Sequence, residues 1–251
     1  MGKPVPSGDK PLPAVQHLLV RYAKRGKMRF ASHRDVARVF ERTVRRADLP
    51  VAHSAGFTPH PKISYAGGAP TGVASEAEYL SLALTSRHEA ADVRDRLNAA
   101  LPDGIDVIAV TEDAGGLPAS RLTASRWRIV FTDLAPEDVA PAVEKFLTLE
   151  HAPVERMTSK GLRRMDARAA VATLDTVSPD PVLPDTADTG ISNTGGRGVT
   201  LEMVIHHTVP AVRPDDVLTA LREVSDLTPS VPPVMTRLEQ GSFGESGMVQ
   251  P

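Results

Sequence analysis

The chain has 251 residues, 41% hydrophobic and 24% charged, enough for one large domain or two smaller ones and unlike either a disordered or a membrane-spanning composition. It contains no cysteine, which excludes disulfides, thiolate nucleophiles, cysteine zinc sites and cysteine-ligated iron–sulfur clusters within this chain. The formal charge of −2 conceals a polarity: residues 1–50 carry 12 Lys/Arg against 4 Asp/Glu, and the rest carries 17 against 27.

Residues 1–17 open with MGKPVPSGDKPLP, which lacks the apolar segment of an export signal, so the expected compartment is the cytoplasm and this stretch is expected to be flexible. No run approaches the length of a membrane span, and no membrane partner is expected. A first unit is predicted over 18–114. Its first strand starts at Leu18, and a helix follows over His33–Ala47 with Ser32 as N-cap and Asp35 in the first turn. Val36, Val39, Phe40, Thr43, Val44 and Ala47 share one face of that helix, as a sheet-covering helix requires. Arg34, Arg38, Arg42 and Arg45 gather on the opposite side with Arg46 at its margin, a stripe equally compatible with plain solvation, phosphate contact or a protein partner. Strands Lys62–Ala66 and Glu78–Thr85, a helix Glu89–Ala100 stopped by Pro102-Asp103-Gly104, and a strand Ile105–Val110 complete a β-α-β-β-α-β order, the ferredoxin-like signature.

A second unit of the same order is predicted over 115–240. It comprises a strand Ala124–Thr132, a helix opening at Pro136, a short strand Pro153–Thr158, a long strand Gly198–Val209, a helix Asp215–Val224 and a closing strand Val234–Leu238. Its middle is expanded by a further strand candidate at Ala169–Leu174 and by a Pro/Gly/Asp/Thr-rich insertion, 178–198, expected to be mobile. Residues 241–251 are expected to form a flexible tail. The predicted class is therefore α+β, two tandem ferredoxin-like units with an expanded middle connection in the second.

Three groups of residues bear on chemistry. His33, at a helix entry, offers a ring for packing, for a phosphate contact or, as a weak catalytic candidate, for proton transfer. The segment Gly56-Phe57-Thr58-Pro59-His60-Pro61-Lys62 combines an aromatic ring, donors and two prolines. It suits either a ligand-binding loop with Phe57 for stacking or a tight turn with Phe57 in the core. Lys160, Gly161, Arg163, Arg164, Asp166 and Arg168 form a second basic cluster on an expected loop, open to phosphate or an acidic protein. His53, His60 and the His206–His207 pair lack metal-ligand spacing, and Gly195-Gly196-Arg197-Gly198 lacks the lysine of a phosphate loop, so no metal and no cofactor are predicted.

The ordered combination of FASHRDVARVFERTVRRADLP, HSAGFTPHPKISYAGGAPTGVASEAEYLSLAL, RLNAALPDGIDV and MTSKGLRRMDAR resembles the bacterial radical SAM-linked protein family over about residues 18–240. Ser32, His33, Asp35 and Arg38 fall in its helix-entry pattern, Gly56, Phe57, Pro59, His60 and Pro61 in its turn pattern, and Lys160, Gly161 and Asp166 in its later pattern. Thr58 stands where relatives commonly carry Asn. The family's domain occurs alone or attached to a radical SAM protein, and standalone members are often encoded near an RNA-processing ribonuclease and ribosomal proteins. The resemblance implies an accessory role in RNA metabolism, since this chain has no cysteine for a radical enzyme's cluster. The expected function is thus an RNA-binding accessory protein in RNA processing or modification. The alternatives are an adaptor that recruits a radical SAM enzyme or ribonuclease, and a metal-independent RNA-processing enzyme.

Overall fold

A computed structural model describes residues 11–55, 57–113, 119–158, 161–177, 198–225 and 227–251. Gly56, Lys160 and nearly all of the expected insertion at 178–198 lie outside the described residues, as do residues 1–10. The chain divides into two units, Met1–Gly72 with Ala77–Ala119, and Val73–Glu76 with Ser120–Pro251. Among the described residues no helix is long and apolar enough to cross a membrane.

The first unit runs β1 (Gln16–Lys24), α1 (His33–Arg46), β2 (Ile63–Ala66), β3 (Ala74–Leu84), α2 (Ala90–Ala100) and β4 (Ile105–Glu112). Its strands lie in the order β4-β1-β3-β2, the ferredoxin-like arrangement. β1 begins at Gln16, two residues before the expected Leu18, because the buried Gln16 amide group ties the strand in. Its Nε2 donates to the His88 carbonyl at 2.9 Å and to Glu112 at 2.8 Å, while its oxygen accepts from the His88 N–H. The core joins Leu18, Val20 and Tyr22 of β1 to Val36, Phe40 and Val44 of α1, with Leu80, Leu82, Val93, Leu97, Ile105 and Val107. α1 ends at a Schellman motif. Leu49 N–H reaches the Val44 carbonyl, Asp48 N–H reaches that of Arg45, and Asp48 takes the left-handed conformation at φ 49°.

The second unit runs β5 (Ala124–Phe131), α3 (Pro136–Thr148), β6 (Pro153–Thr158), β7 (Gly161–Asp166), α4 (Ala167–Ala170), β8 (Val171–Val177), β9 (Val199–His206), α5 (Pro214–Ser225), β10 (Val234–Gly244) and β11 (Gly247–Val249). Its main strands follow the order β10-β5-β9-β8, so the ferredoxin-like arrangement recurs. The strand that pairs with β9 is β8 and not the expected Pro153–Thr158 segment, which pairs with β7 in a separate two-stranded sheet. The hairpin β6–β7 is therefore an insertion between α3 and β8. The segment 160–168, expected as a basic loop, is strand and the start of a short helix over its described residues 161–168, because Val154 and Met165 opposite one another are buried and Asp166 caps α4 at Ala169 N–H. The expected tail from 241 instead extends β10, which folds back through Gly247 at φ 91° to pair with β11. Gly241 is needed there: a Cβ on it would lie 2.0 Å from the Val249 carbonyl oxygen.

Candidate nucleic-acid interface

The start of α1 is closed by its own side chains. Ser32 Oγ accepts from Asp35 N–H at 3.3 Å, and the Asp35 carboxylate accepts from Ser32 N–H at 3.2 Å and from its hydroxyl at 2.6 Å. Those hydrogen bonds, the hydroxyl first and then the backbone, together with the Arg38 charge, hold the Asp35 carboxyl below its usual range. A carboxylate thus already occupies this helix terminus. His33 is exposed, and its ring stands edge-on to Tyr65 at 5.3 Å between centroids. Gly68 lies so close that a Cβ there would come 3.1 Å from His33 Cδ2. Burial, and after it the Glu41 charge, pushes the Tyr65 phenol above its ordinary value.

A constraint not foreseen from the sequence holds the Gly67–Gly72 segment beside His33. Lys24 and Glu78 are only 3% and 4% exposed. Lys24 Nζ donates to the carbonyls of Ala69 and Pro70 at 3.4 Å, and the Glu78 carboxylate accepts from Ala69 N–H at 3.2 Å. Burying charged groups is costly unless they are paired or hydrogen-bonded, so these two strand residues clamp the turn from two sides. Their signal was phase: Lys24 falls in step with the buried Leu18, Val20 and Tyr22, and Glu78 with Leu80, Leu82 and Leu84, so strand alternation puts both charges on the core face.

Along α1 the buried face is Val36, Phe40, Thr43 and Val44, which leaves Arg34, Arg38, Arg42, Arg45 and Arg46 exposed. Arg38 reaches Asp35 at 3.9 Å. Arg46 Nη2 donates to the Ala100 carbonyl at the end of α2. Among the described residues the side chains of Arg34, Arg42 and Arg45 have no ion-pair or hydrogen-bond partner. Arg42, Arg45 and Arg46 line a cleft of about 500 Å³ with Val39 and Pro102.

No residue of the Phe57–Lys62 segment lines that cleft. Ser54 N–H reaches the His60 carbonyl at 2.8 Å, His60 N–H reaches Ser54 Oγ at 3.0 Å, and Lys62 N–H reaches the Ala52 carbonyl at 2.7 Å, so the loop is closed at its base. Phe57 is 79% exposed at its tip and is not part of the core. Thr58, Pro59, His60 and Lys62 are also exposed, and Pro61 is half-buried at a bridge to His53.

The other basic residues belong to the second unit. Arg164 is neutralised by Glu155 across the β6–β7 hairpin at 2.6 Å, and Arg168 turns to the Val171 carbonyl at 3.2 Å. Arg163 is exposed and, among the described residues, unpaired. Gly161 adopts φ 99°, which favours glycine. Asp166 is a structural hub that accepts from Ala152 N–H at 3.0 Å, Ala169 N–H at 3.2 Å and the His151 ring at 2.7 Å. Arg128 and Arg126 on β5 are also neutralised, by Glu202 at 2.6 Å and Glu239 at 3.2 Å respectively. Among the described residues no group of three His, Asp or Glu side chains gathers as a metal ion requires. Among the described residues of the basic groups singled out in the sequence, α1 therefore presents the largest unneutralised set.

No curated protein matches the chain. Residues 17–214 match a bacterial family described as an uncharacterized protein conserved in bacteria (DUF2344). That match takes in most of both units, and the chain belongs to this bacterial family.

Proposed function

We propose that the protein is an RNA-binding accessory factor in RNA processing or modification, which engages the phosphate backbone through the arginine face of α1. The observation that carries this reading is the set Arg34, Arg42 and Arg45, exposed on one helix face without an acidic partner among the described residues. Exposed guanidinium groups spaced along a helix suit phosphates, which position a nucleic acid without reading its sequence. The exposed Phe57 ring and His60 offer a stacking surface for unpaired bases. The resemblance to radical SAM-linked proteins supports a link to RNA metabolism and assigns this chain no reaction of its own. The test is binding of tRNA, ribosomal RNA fragments and charge-matched controls by the full chain over a salt series. The expected result is binding that weakens with salt and is lost when Arg34, Arg42 and Arg45 are changed together to Gln; negligible binding by folded protein overturns it.

One observation favours a second reading, an adaptor for a radical SAM enzyme or ribonuclease. Met157 and Leu162 face one another across the β6–β7 hairpin and are 73% and 51% exposed. They lie on the side opposite the buried Val154–Met165 pair, an apolar contact suited to a protein. Nuclease-treated partner proteins retained by the triple Gln variant but released by Met157→Ser with Leu162→Ser are the result this reading expects.

A further inference from the structure

We infer that the cleft at the C-terminal end of α1 takes a terminal phosphate, the phosphomonoester of a nucleic-acid end or of a free nucleotide, in preference to an internal phosphodiester. The inference rests on the RNA-binding reading above and sharpens it. Arg42 and Arg46 follow Val39 at helical steps that make them surface neighbours, and Arg45 stands beside them, so three arginine side chains line one cleft. Among the described residues no carboxylate lines it. Arg46 is already oriented by the Ala100 carbonyl, and Arg42 and Arg45 have no partner to release among the described residues.

Such a concentration of charge exceeds what one backbone diester with a single charge calls for. A phosphomonoester carries roughly −1.5 to −2 at neutral pH, with a second pKa of about 6, and offers three oxygens to forked guanidinium donors. The volume of about 500 Å³ also exceeds that of a phosphate, and the other two lining residues, Val39 and Pro102, are apolar. They provide walls for the sugar or base that the phosphate carries. An end group bearing one nucleotide matches both the charge and the lining.

The experiment compares oligonucleotides of one sequence bearing a 5′-phosphate, a 3′-phosphate or hydroxyl ends, bound to the full chain at constant salt. The expected result is at least ~10-fold tighter binding of one phosphorylated form, an advantage that fades as pH falls through about 6 and disappears in Arg42→Gln and Arg45→Gln. Both arginines are exposed, so a thermal melt checks that each variant stays folded. Adenosine monophosphate with adenosine as control separates the two sources. Competition by the nucleotide as strong as by the phosphorylated oligonucleotide assigns the site to free nucleotides, and weaker competition assigns it to nucleic-acid ends. Equal affinity for all three oligonucleotides overturns the inference and leaves backbone binding standing. No binding of any oligonucleotide, with the nucleotide still bound, overturns the RNA reading alone, and no binding of either ligand overturns both.

Discussion

Single residues carry some of the sharpest consequences. Asp48 holds the left-handed position of the Schellman motif after α1, where glycine carries no steric penalty. Asp48→Gly is expected to stabilise the first unit by about 0.5 kcal/mol, the strain relief being offset in part by a freer unfolded chain. Urea unfolding followed by circular dichroism measures it. Gly241→Ala has the opposite sign, because its Cβ would collide with the Val249 carbonyl. A loss of about 1–3 kcal/mol is expected, with faster amide exchange at Ser242 and Val249, which pair across the β10–β11 hairpin. The Ser32–Asp35 capping box was legible in the sequence because it depends only on neighbours three residues apart. The Lys24–Glu78 clamp was not, because both partners meet a turn through contacts that no local pattern encodes.

At the scale of elements, helices were read more faithfully than strand pairing. The apolar spacing of α1 identified Val36, Val39, Phe40, Thr43, Val44 and Ala47, all of which are buried except the half-buried Val39. Phe40, at 1% exposure in the first core, is expected to cost about 3–5 kcal/mol as Phe40→Ala, visible in the denaturant midpoint. The second unit's middle was harder, since Pro153–Thr158 and Ala169–Leu174 both read as short extended stretches. Only non-local register with β9 distinguishes β8 as the sheet strand and β6 as half of a hairpin. The hairpin carries its own pH dependence through His151 and Asp166. Hydrogen bonding to Asp166, with its charge, raises the His151 pKa above 6.5, so that contribution is full below pH 6.5 and is lost as pH rises through the raised value. Burial acts to raise the Asp166 pKa but is outweighed by hydrogen bonds from Ala152, His151 and Ala169, which take it below 3.8. Its contribution is therefore lost only as pH falls through that lower value. The stability difference between the parent chain and His151→Gln is expected to be largest from about pH 4 to 6.5 and to shrink above that range, as equilibrium unfolding at a series of pH values reports.

Over the whole molecule, the charge asymmetry seen in the first 50 residues has a structural counterpart, because α1 supplies five of their Lys/Arg residues and exposes all five. In the second unit, Arg126, Arg128 and Arg164 face carboxylates instead. Binding to a single strand is accordingly expected to lose about 0.7 in log–log salt slope for each phosphate contact removed, or about 1.4 for Arg42→Gln with Arg45→Gln, as titrations at several salt concentrations measure. Changing Arg164 is expected to leave that slope nearly unaltered, since its charge is already compensated by Glu155. The β-α-β-β-α-β order of the first unit and the arginine stripe were legible from periodicity alone. Which cations are neutralised was not, since that depends on partners brought together by folding.

The inserted hairpin leaves the frame of the second unit and rejoins it at nearly one point, for Ala167 N–H bonds directly to the Ala152 carbonyl at 2.8 Å. A stem closed in this way, and fastened along its length by the buried Val154 and Met165 and by Arg156 on Asp216 and the Ala211 carbonyl, leaves the exposed Met157–Leu162 pair as the part that can be exchanged, over evolution or by design, while the strands on either side keep their pairing.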